Sequence, residues 1–199
     1  YEEYMTENFL EPLGLEQTTF IVDELETPTA AHWPDESGEW QSSTPSPTYY
    51  PAHTPSNGVF STTEDLLKWA IFNMNQGEFE GEQIVPASAW DLMWKPYTEI
   101  PWGEEFGDYG YGWGISDMDN ERVISWGGGH LGSPNAFYLV PEENLALFVV
   151  FNSSPEMAKG NGQVDAFTQQ VLHVLLRAST EQMQADQPAL DPALIPPTA

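Results

Sequence analysis

Three consecutive glycines, Gly127, Gly128 and Gly129, follow Trp126 and lie between two segments of β-strand character, residues 122–125 and 136–140. Glycine lacks a Cβ, so its backbone N–H can approach a ligand closely, and it adopts backbone angles that other residues avoid. The run is therefore typical of a tight turn or bulge between strands, or of a backbone site that contacts a ligand.

The second half of the chain alternates β-type segments with polar turns. The predicted strands are residues 111–116, 122–125, 136–140 and 145–151, and the turns at 117–120 and 141–144 predict hairpins. An amphipathic helix follows, and its apolar stripe consists of Val164, Phe167, Val171, Val174 and Leu175. Antiparallel strands covered by a helix predict an α+β domain, in which helices flank an antiparallel sheet.

The first half is more helical in its pattern. Tyr1, Tyr4, Met5 and Phe9 recur at helical spacing. Thr62 is the predicted N-cap of a helix that ends just before Gly77, and residues 86–94 predict a shorter helix. Residues 27–55 are rich in Pro, Ser and Thr with interspersed aromatic residues, which indicates a long ordered excursion. We therefore assign the residues before about Gly107 to the helical side of the domain.

Four short elements occur in order: residues 9–15, residues 55–62 followed by Asp65-Leu66, the Trp-Gly-Gly-Gly run with Gly132, and Pro141-Glu142 with the apolar segment that closes at Asn152. Together they resemble the superfamily of serine β-lactamases, penicillin-binding proteins and family VIII carboxylesterases. The first is similar to its Pro-Leu-Gly-Met segment. The second is similar to its Gly-(Leu/Val)-x-Ser-Thr-x-x-Asp-(Leu/Met) element. The third falls on the Lys-Thr-Gly strand of class C β-lactamases, and the fourth follows in register.

The resemblance implies a β-lactamase/transpeptidase-like fold and gives roles to the glycine run. On the match, the backbone N–H of Gly129 is one of two donors that face the acyl oxygen, where charge develops in the transition state. Trp126 forms a wall of the substrate cleft beside Gly127 and Gly128, although a half-buried strand Trp is the structural alternative. His130 lies four residues after Trp126 and could reach the cleft rim; a surface turn is its alternative.

Asn57 belongs to a matched segment near the cleft, but Asn57-Gly58 is also a turn signal in its own right.

Most members of the superfamily have Lys or His where this chain has Trp126, whose indole carries one N–H donor and no charge. Family VIII carboxylesterases commonly have Trp-Gly-Gly there. The resemblance therefore favours a small neutral ester or amide as substrate over a β-lactam. It implies hydrolysis through an acyl-enzyme, with no metal or organic cofactor.

The nucleophile of the superfamily is the Ser of Ser-x-x-Lys, in which one helical turn places the Lys amine beside the hydroxyl. The residues three positions before Lys68, Lys95 and Lys159 are Asp65, Leu92 and Glu156, so the sequence lacks this motif, and it also lacks Tyr-x-Asn. In the superfamily both elements precede the Pro-Leu-Gly-Met segment. We therefore expect the C-terminal portion of such a hydrolase, whose partner is the missing N-terminal half. The alternatives are a non-catalytic binding or scaffold domain and one half of a two-chain enzyme.

The composition excludes several other functions. An acidic chain without a basic patch repels nucleic acid and anionic lipid, so neither is an expected partner. Cys is absent, and the four His residues (His32, His53, His130 and His173) show no metal-binding spacing, so no metal site is predicted. No run approaches eighteen apolar residues, and a membrane span is not expected.

The domain is predicted to cover residues 1–178, and residues 179–199 are predicted to form a Pro-rich tail. The family resemblance favours a periplasmic or extracellular location.

The chain carries 31 acidic and five basic residues, a formal net charge of −26. This imbalance indicates adaptation to a salty environment, because salt screens the repulsion between carboxylates. The alternative is an acidic half whose partner carries more basic residues.

We predict that the melting temperature of the chain rises steeply between low and molar KCl, because its 31 acidic residues repel one another when they are unscreened. Thermal unfolding followed by circular dichroism measures the rise. Molar salt also stabilises proteins by preferential exclusion, so a neutral osmolyte at equal osmolality is the control. A melting temperature that stays flat or falls with KCl would contradict salt adaptation.

Overall fold

The computed structural model describes residues 1–21, 24–25, 28–43, 54–56, 58–101, 107–130, 132–153 and 162–179. The chain begins with α1 (Glu2–Met5), which continues as a π-helical segment, Thr6–Leu10. The predicted helix at the start of the chain is thereby confirmed. Leu10, Leu13 and Leu15 are buried, so this segment is anchored in the hydrophobic core.

A β-hairpin formed by β1 (Ala31–Pro34) and β2 (Trp40–Ser43) lies within the predicted excursion. Asp35 stabilises its turn by accepting hydrogen bonds from the hydroxyl and the backbone N–H of Ser37, at 2.6 and 2.9 Å. These bonds, the hydroxyl bond above all, hold the pKa of Asp35 below its ordinary value. The ordered excursion is therefore confirmed for residues 28–43, whereas residues 44–53 lie outside the described part of the chain.

The helix α2 (Thr63–Met74) begins where the sequence predicts. The Thr62 hydroxyl oxygen accepts a hydrogen bond from the Asp65 N–H at 3.3 Å, which makes Thr62 the N-cap. The buried Asp65 carboxylate accepts hydrogen bonds from the Gln17 N–H at 2.8 Å and from the Thr18 hydroxyl at 2.9 Å. This single side chain therefore ties the N-terminal segment to α2.

A short hairpin, β3 (Glu78–Phe79) with β4 (Glu82–Gln83), connects α2 to α3 (Ser88–Met93). The helix α3 lies within the shorter helix that the sequence predicts. Its Trp90 ring packs edge-on against Phe72 of α2, with ring centroids 5.4 Å apart. The helical part of the molecule thus has an aromatic core of its own.

The main sheet is antiparallel, and among the described residues its six strands lie in the order β10-β9-β8-β7-β6-β5. These strands are β5 (Thr98–Glu99), β6 (Asp108–Tyr109), β7 (Gly114–Met118), β8 (Glu121–His130), β9 (Ser133–Val140) and β10 (Leu145–Val150). The turn between β7 and β8 uses Asp119 and Asn120 at φ of 53° and 68°, and the turn between β9 and β10 contains the 3₁₀ segment Pro141–Glu143. Both hairpins confirm predicted turns.

Two predicted strand boundaries were wrong. The strand expected at 111–116 starts only at Gly114, because the Gly110 N–H donates to the Trp113 carbonyl at 2.7 Å and closes a turn first. The strand expected at 122–125 is β8, which is longer and extends to His130.

The sheet separates two hydrophobic layers. On one face the strand residues Ile115, Ile124, Phe137 and Leu139 share a core with Leu13, Phe72 and Trp90 of the helical part. On the other face Val123, Ala136, Tyr138 and Val140 share a core with α4 (Gly162–Ser179). The molecule therefore has the predicted α+β architecture, an antiparallel sheet flanked by helices.

The stripe by which α4 contacts the sheet differs from the predicted one. The buried side chains are Val164, Thr168, Leu172 and Leu176, spaced four residues apart. Three side chains of the predicted stripe are instead exposed: Phe167 at 48%, Val174 at 60% and Leu175 at 37%. The helix is apolar over more of its circumference than one sheet contact covers, so the sequence pattern alone could not select the buried line.

Candidate active site

The glycine run belongs to a strand and is not the turn between two strands. In the ladder with β9, Gly127 pairs with Ala136, Gly128 with Asn135 and Gly129 with Pro134. The chain reverses only after His130, which pairs with Ser133. The second possibility from the sequence, a backbone site open to a ligand, therefore depends on where the peptide groups of β8 point.

Hydrogen bonding in β9 determines that direction, because alternate residues of an antiparallel strand present their peptide groups to opposite neighbours. The Phe151 N–H donates to the Pro134 carbonyl at 3.0 Å, so the peptide groups of Pro134 face β10. Those of Asn135 consequently face β8 and meet Gly128.

The peptide groups of Gly127 and Gly129 therefore face away from β9, on the side of β7. The ladder between β7 and β8 starts at the pair Gly114 and Ser125, and no described strand pairs with the glycine run on that side. The Gly129 N–H thus points out of the sheet edge, at an exposed residue. Two N–H groups directed at one open edge can donate hydrogen bonds to a ligand oxygen.

Trp126 is 40% exposed and forms an aromatic wall next to the glycines. Along the strand it shares a face with Ile124, so its side chain lies on the helical side of the sheet. Its ring packs against Tyr109, with centroids 5.0 Å apart and an interplanar angle of 53°. This contact joins residues of β6 and β8, so it depends on the pairing of distant strands.

Asn135 is a polar neighbour of the glycine run that the sequence did not reveal. Its side-chain amide lies 3.7 Å from the position that a Cβ on Gly128 would occupy. As the cross-strand partner of Gly128 it shares a sheet face with Trp126. Only the strand register, which is a tertiary property, brings this amide to the site.

The turn after β8 packs closely against β1. Gly132 has a φ of 84°, and a Cβ at this position would lie 2.3 Å from the His32 carbonyl oxygen. The His32 N–H donates to the Asn152 carbonyl at 2.9 Å, which holds β1 beside the end of β10. The β1–β2 hairpin therefore borders the end of the glycine strand.

Two predicted site residues are described incompletely or not at all. His130 is the last residue of β8, and its side chain lies outside the described part of the structure. Asn57 also lies outside the described residues. Within the described ranges, no cluster of three or more His, Cys, Asp or Glu could hold a metal ion, and no helix has the length and apolarity that a membrane crossing requires.

We predict that Gly132→Ala destabilises the chain more than Gly38→Ala does. Both glycines have positive φ, 84° and 87°, but a Cβ at Gly38 meets no atom within 4 Å. Positive φ alone costs an Ala roughly 1–2 kcal/mol, and displacing the His32 backbone should add about 1–3 kcal/mol. Urea unfolding of both variants measures the two free energies. Equal losses would mean that β1 does not contact the turn in solution.

Comparisons with known proteins identify the family of the chain. The family model described as Beta-lactamase matches residues 1–170. An uncharacterised protein of Alkalihalophilus pseudofirmus is 26% identical over 133 residues, which are 59% of this chain and 38% of that protein. Among solved structures, the octameric penicillin-binding protein homologue from Pyrococcus abyssi is 26% identical with a TM-score of 0.72, over 88% of this chain and 37% of that one.

A class C β-lactamase from Rhodobacter sphaeroides is 15% identical with a TM-score of 0.62, over 88% of this chain and 54% of that one, and it shares the fold. The chain thus spans well under two thirds of the length of each of these proteins. The family match covers most of the chain. The chain belongs to the β-lactamase family.

Proposed function

We propose that this chain is the C-terminal part of a serine hydrolase that cleaves ester or amide bonds through an acyl-enzyme. The nucleophile, the Ser of Ser-x-x-Lys, would lie outside these 199 residues, because the sequence contains no such motif. The observation that carries the proposal is the Gly129 N–H, which faces the open edge of β8.

A peptide N–H in this position suits the stabilisation of an oxyanion. When a serine oxygen attacks an acyl carbon, the carbonyl oxygen gains negative charge, and fixed backbone donors bind that charge without reorganising. Pairing with β9 fixes the strand that carries Gly129, and the missing Cβ leaves room for the substrate. The second donor would be the amide of the nucleophilic serine itself.

The reaction would proceed in two steps. The serine oxygen forms a bond to the acyl carbon while the Lys amine takes its proton, and the leaving alcohol or amine departs with a proton. Water then attacks the acyl-enzyme and releases the carboxylic acid. Within this chain, Gly129 would bind the oxyanion, whereas Trp126, Gly127, Gly128, His130 and Asn57 would line the substrate cleft.

Exposed apolar surface supports the existence of a missing N-terminal half. β10 is the outer strand of the described sheet, and Val150 near its end is 45% exposed. Phe167 of α4 is 48% exposed and packs on Phe151 just beyond β10, with centroids 5.8 Å apart. Outer strands and apolar patches of this kind are usually covered in native proteins. We propose that the N-terminal half covers both.

The 199-residue chain alone should hydrolyse neither p-nitrophenyl butyrate nor nitrocefin, because it lacks nucleophile and base. Adding the N-terminal half encoded by the parent gene should restore turnover. Spectrophotometry measures turnover of both substrates by the purified chain, by the purified N-terminal half and by their mixture. Turnover by the purified chain that is covalently blocked at one of its own serines would refute the proposal.

Two substitutions at Gly129 are matched controls in the reconstituted enzyme. Gly129→Pro removes the N–H and should lower kcat about 10²- to 10³-fold, whereas Gly129→Ala retains the donor and should lose much less. Circular dichroism verifies that both variants are folded. Equal loss in the two variants would indicate that the position is needed for space and not for its N–H.

The side chain of Trp126 favours neutral substrates. Lys at this position offers a charge-assisted hydrogen bond to a substrate carboxylate, worth about 1.5–3 kcal/mol, and an indole cannot replace it. The wall that Trp126 forms with Tyr109 is instead aromatic, and Trp126 is 40% exposed beside the glycine run. We therefore propose a short-chain ester or a neutral amide as the substrate class.

Trp126→Lys in the complete enzyme should shift the ratio of kcat/KM for nitrocefin to that for p-nitrophenyl butyrate toward nitrocefin by roughly one to two powers of ten. Trp113→Phe, at the position just before β7, is the control for loss of an indole elsewhere in the chain. A wild-type enzyme that already prefers nitrocefin, or a ratio that Trp126→Lys leaves unchanged, would replace the carboxylesterase assignment with a β-lactamase or peptidase.

A non-catalytic scaffold remains the second candidate, because the sequence lacks the nucleophile motif. An intact parent protein that has no hydrolytic activity and whose sequence upstream of Tyr1 contains no Ser-x-x-Lys would establish it. Activity that appears only on mixing two separately encoded chains would instead identify a two-chain enzyme.

A further inference from the structure

A pocket of ≈ 390 Å³ lies between the end of α3, the residues that follow it and the start of β8. Its lining residues include Trp90, Asp91, Trp94, Lys95, Pro96 and Arg122. Arg122 and Gly129 are seven residues apart on the same strand, about 23 Å at the usual rise of 3.3 Å per residue. The pocket is therefore distinct from the candidate active site.

Positive charge is concentrated at this pocket in a way that the composition does not predict. The whole chain has five basic residues and a net charge of −26, yet two of the five, Lys95 and Arg122, line the pocket. Asp91 is the only carboxylate among the lining residues, so the lining carries a net positive charge. In so acidic a molecule, this is a local site of attraction for an anion.

Arg122 and Lys95 both bring charged hydrogen-bond donors to the lining. The Arg122 guanidinium donates to the Trp94 backbone carbonyl, which holds the side chain at the pocket and leaves further N–H donors on the same group. Lys95 lies with its ammonium 5.5 Å from the centre of the Tyr97 ring. This cation–π contact restrains the Lys95 side chain.

The indole N–H groups of Trp90 and Trp94 have no hydrogen-bond acceptor among the described residues. Trp90 and Trp94 are 2% and 4% exposed, and their ring N–H groups are buried. Buried donors of this kind are rare in native proteins and are normally satisfied by protein, water or ligand. Pro96, which is exposed, supplies apolar surface at the pocket.

We propose that this pocket binds a small carboxylate that carries an apolar group. The carboxylate would interact with Arg122 and Lys95, and the apolar group would pack against Pro96. The volume is within the usual range for small-molecule sites, and a few polar groups in an aromatic lining are their typical composition. This site is independent of the hydrolase reaction proposed above.

The probe pair is phenylacetate and phenylacetamide, which have the same shape and differ in charge. Saturation-transfer NMR with the 199-residue chain, at a KCl concentration where it is folded, should show saturable binding of phenylacetate at least about tenfold tighter than of the amide. Lys95→Gln, at an exposed position, should weaken phenylacetate about three- to fivefold, and Arg122→Gln about tenfold or more.

Arg177→Gln is the matched control, because it removes one positive charge from α4, away from the pocket. It should leave the dissociation constant for phenylacetate unchanged, and melting temperatures verify that each variant is folded. The absence of saturable binding, equal binding of acid and amide, or an affinity that Lys95→Gln does not change would each overturn the proposal. If Arg122→Gln does not fold because its bond to Trp94 is lost, the Lys95→Gln result decides the question.

Discussion

The ladder between β8 and β9 is the interaction on which the rest of the structure depends. It pairs β8 in one continuous register from Ile124 to His130, and the neighbouring residues Val123 and Ile124 are fully buried on opposite faces of the sheet. Since side chains alternate along a strand, a shift of one residue would exchange the two hydrophobic layers. The same register decides that Gly129 presents its N–H to the open edge and that Asn135 lies beside Gly128.

β8 also connects two regions of different chemistry. Its C-terminal end carries Gly127 and Gly129, whose peptide groups face an open edge. Its N-terminal end carries Arg122, which shares a pocket with Trp90 of α3 and with Trp94, the residue after α3. Between these ends lie Val123 and Ile124, which are fully buried and separate the two regions. A rigid central strand positions groups at both of its ends with little conformational freedom, which suits both the proposed oxyanion site and the proposed carboxylate pocket.

Much of the fold was predictable because its signals are local. The Thr62 cap, the hairpins at residues 117–120 and 141–144 and the helix near Val164 each depend on a few adjacent residues, and the structure has all of them. The motif resemblance identified the superfamily, and the match over residues 1–170 confirms it. Errors arose where a distant partner decides: β8 is longer than predicted because β9 pairs with its glycines, and α4 buries Thr168 in place of Phe167.

The sequence by itself determined the α+β class, the family, the strong negative charge and the glycine run as the candidate site. It also determined that no Ser-x-x-Lys lies within these residues. Only the tertiary structure decided which way the glycine peptide groups point, that Tyr109 and Asn135 lie beside Trp126 and Gly128, and that Lys95 and Arg122 share a pocket. The physical reason is that these contacts join residues far apart in the chain, and local propensity carries no information about strand register or about which surfaces meet.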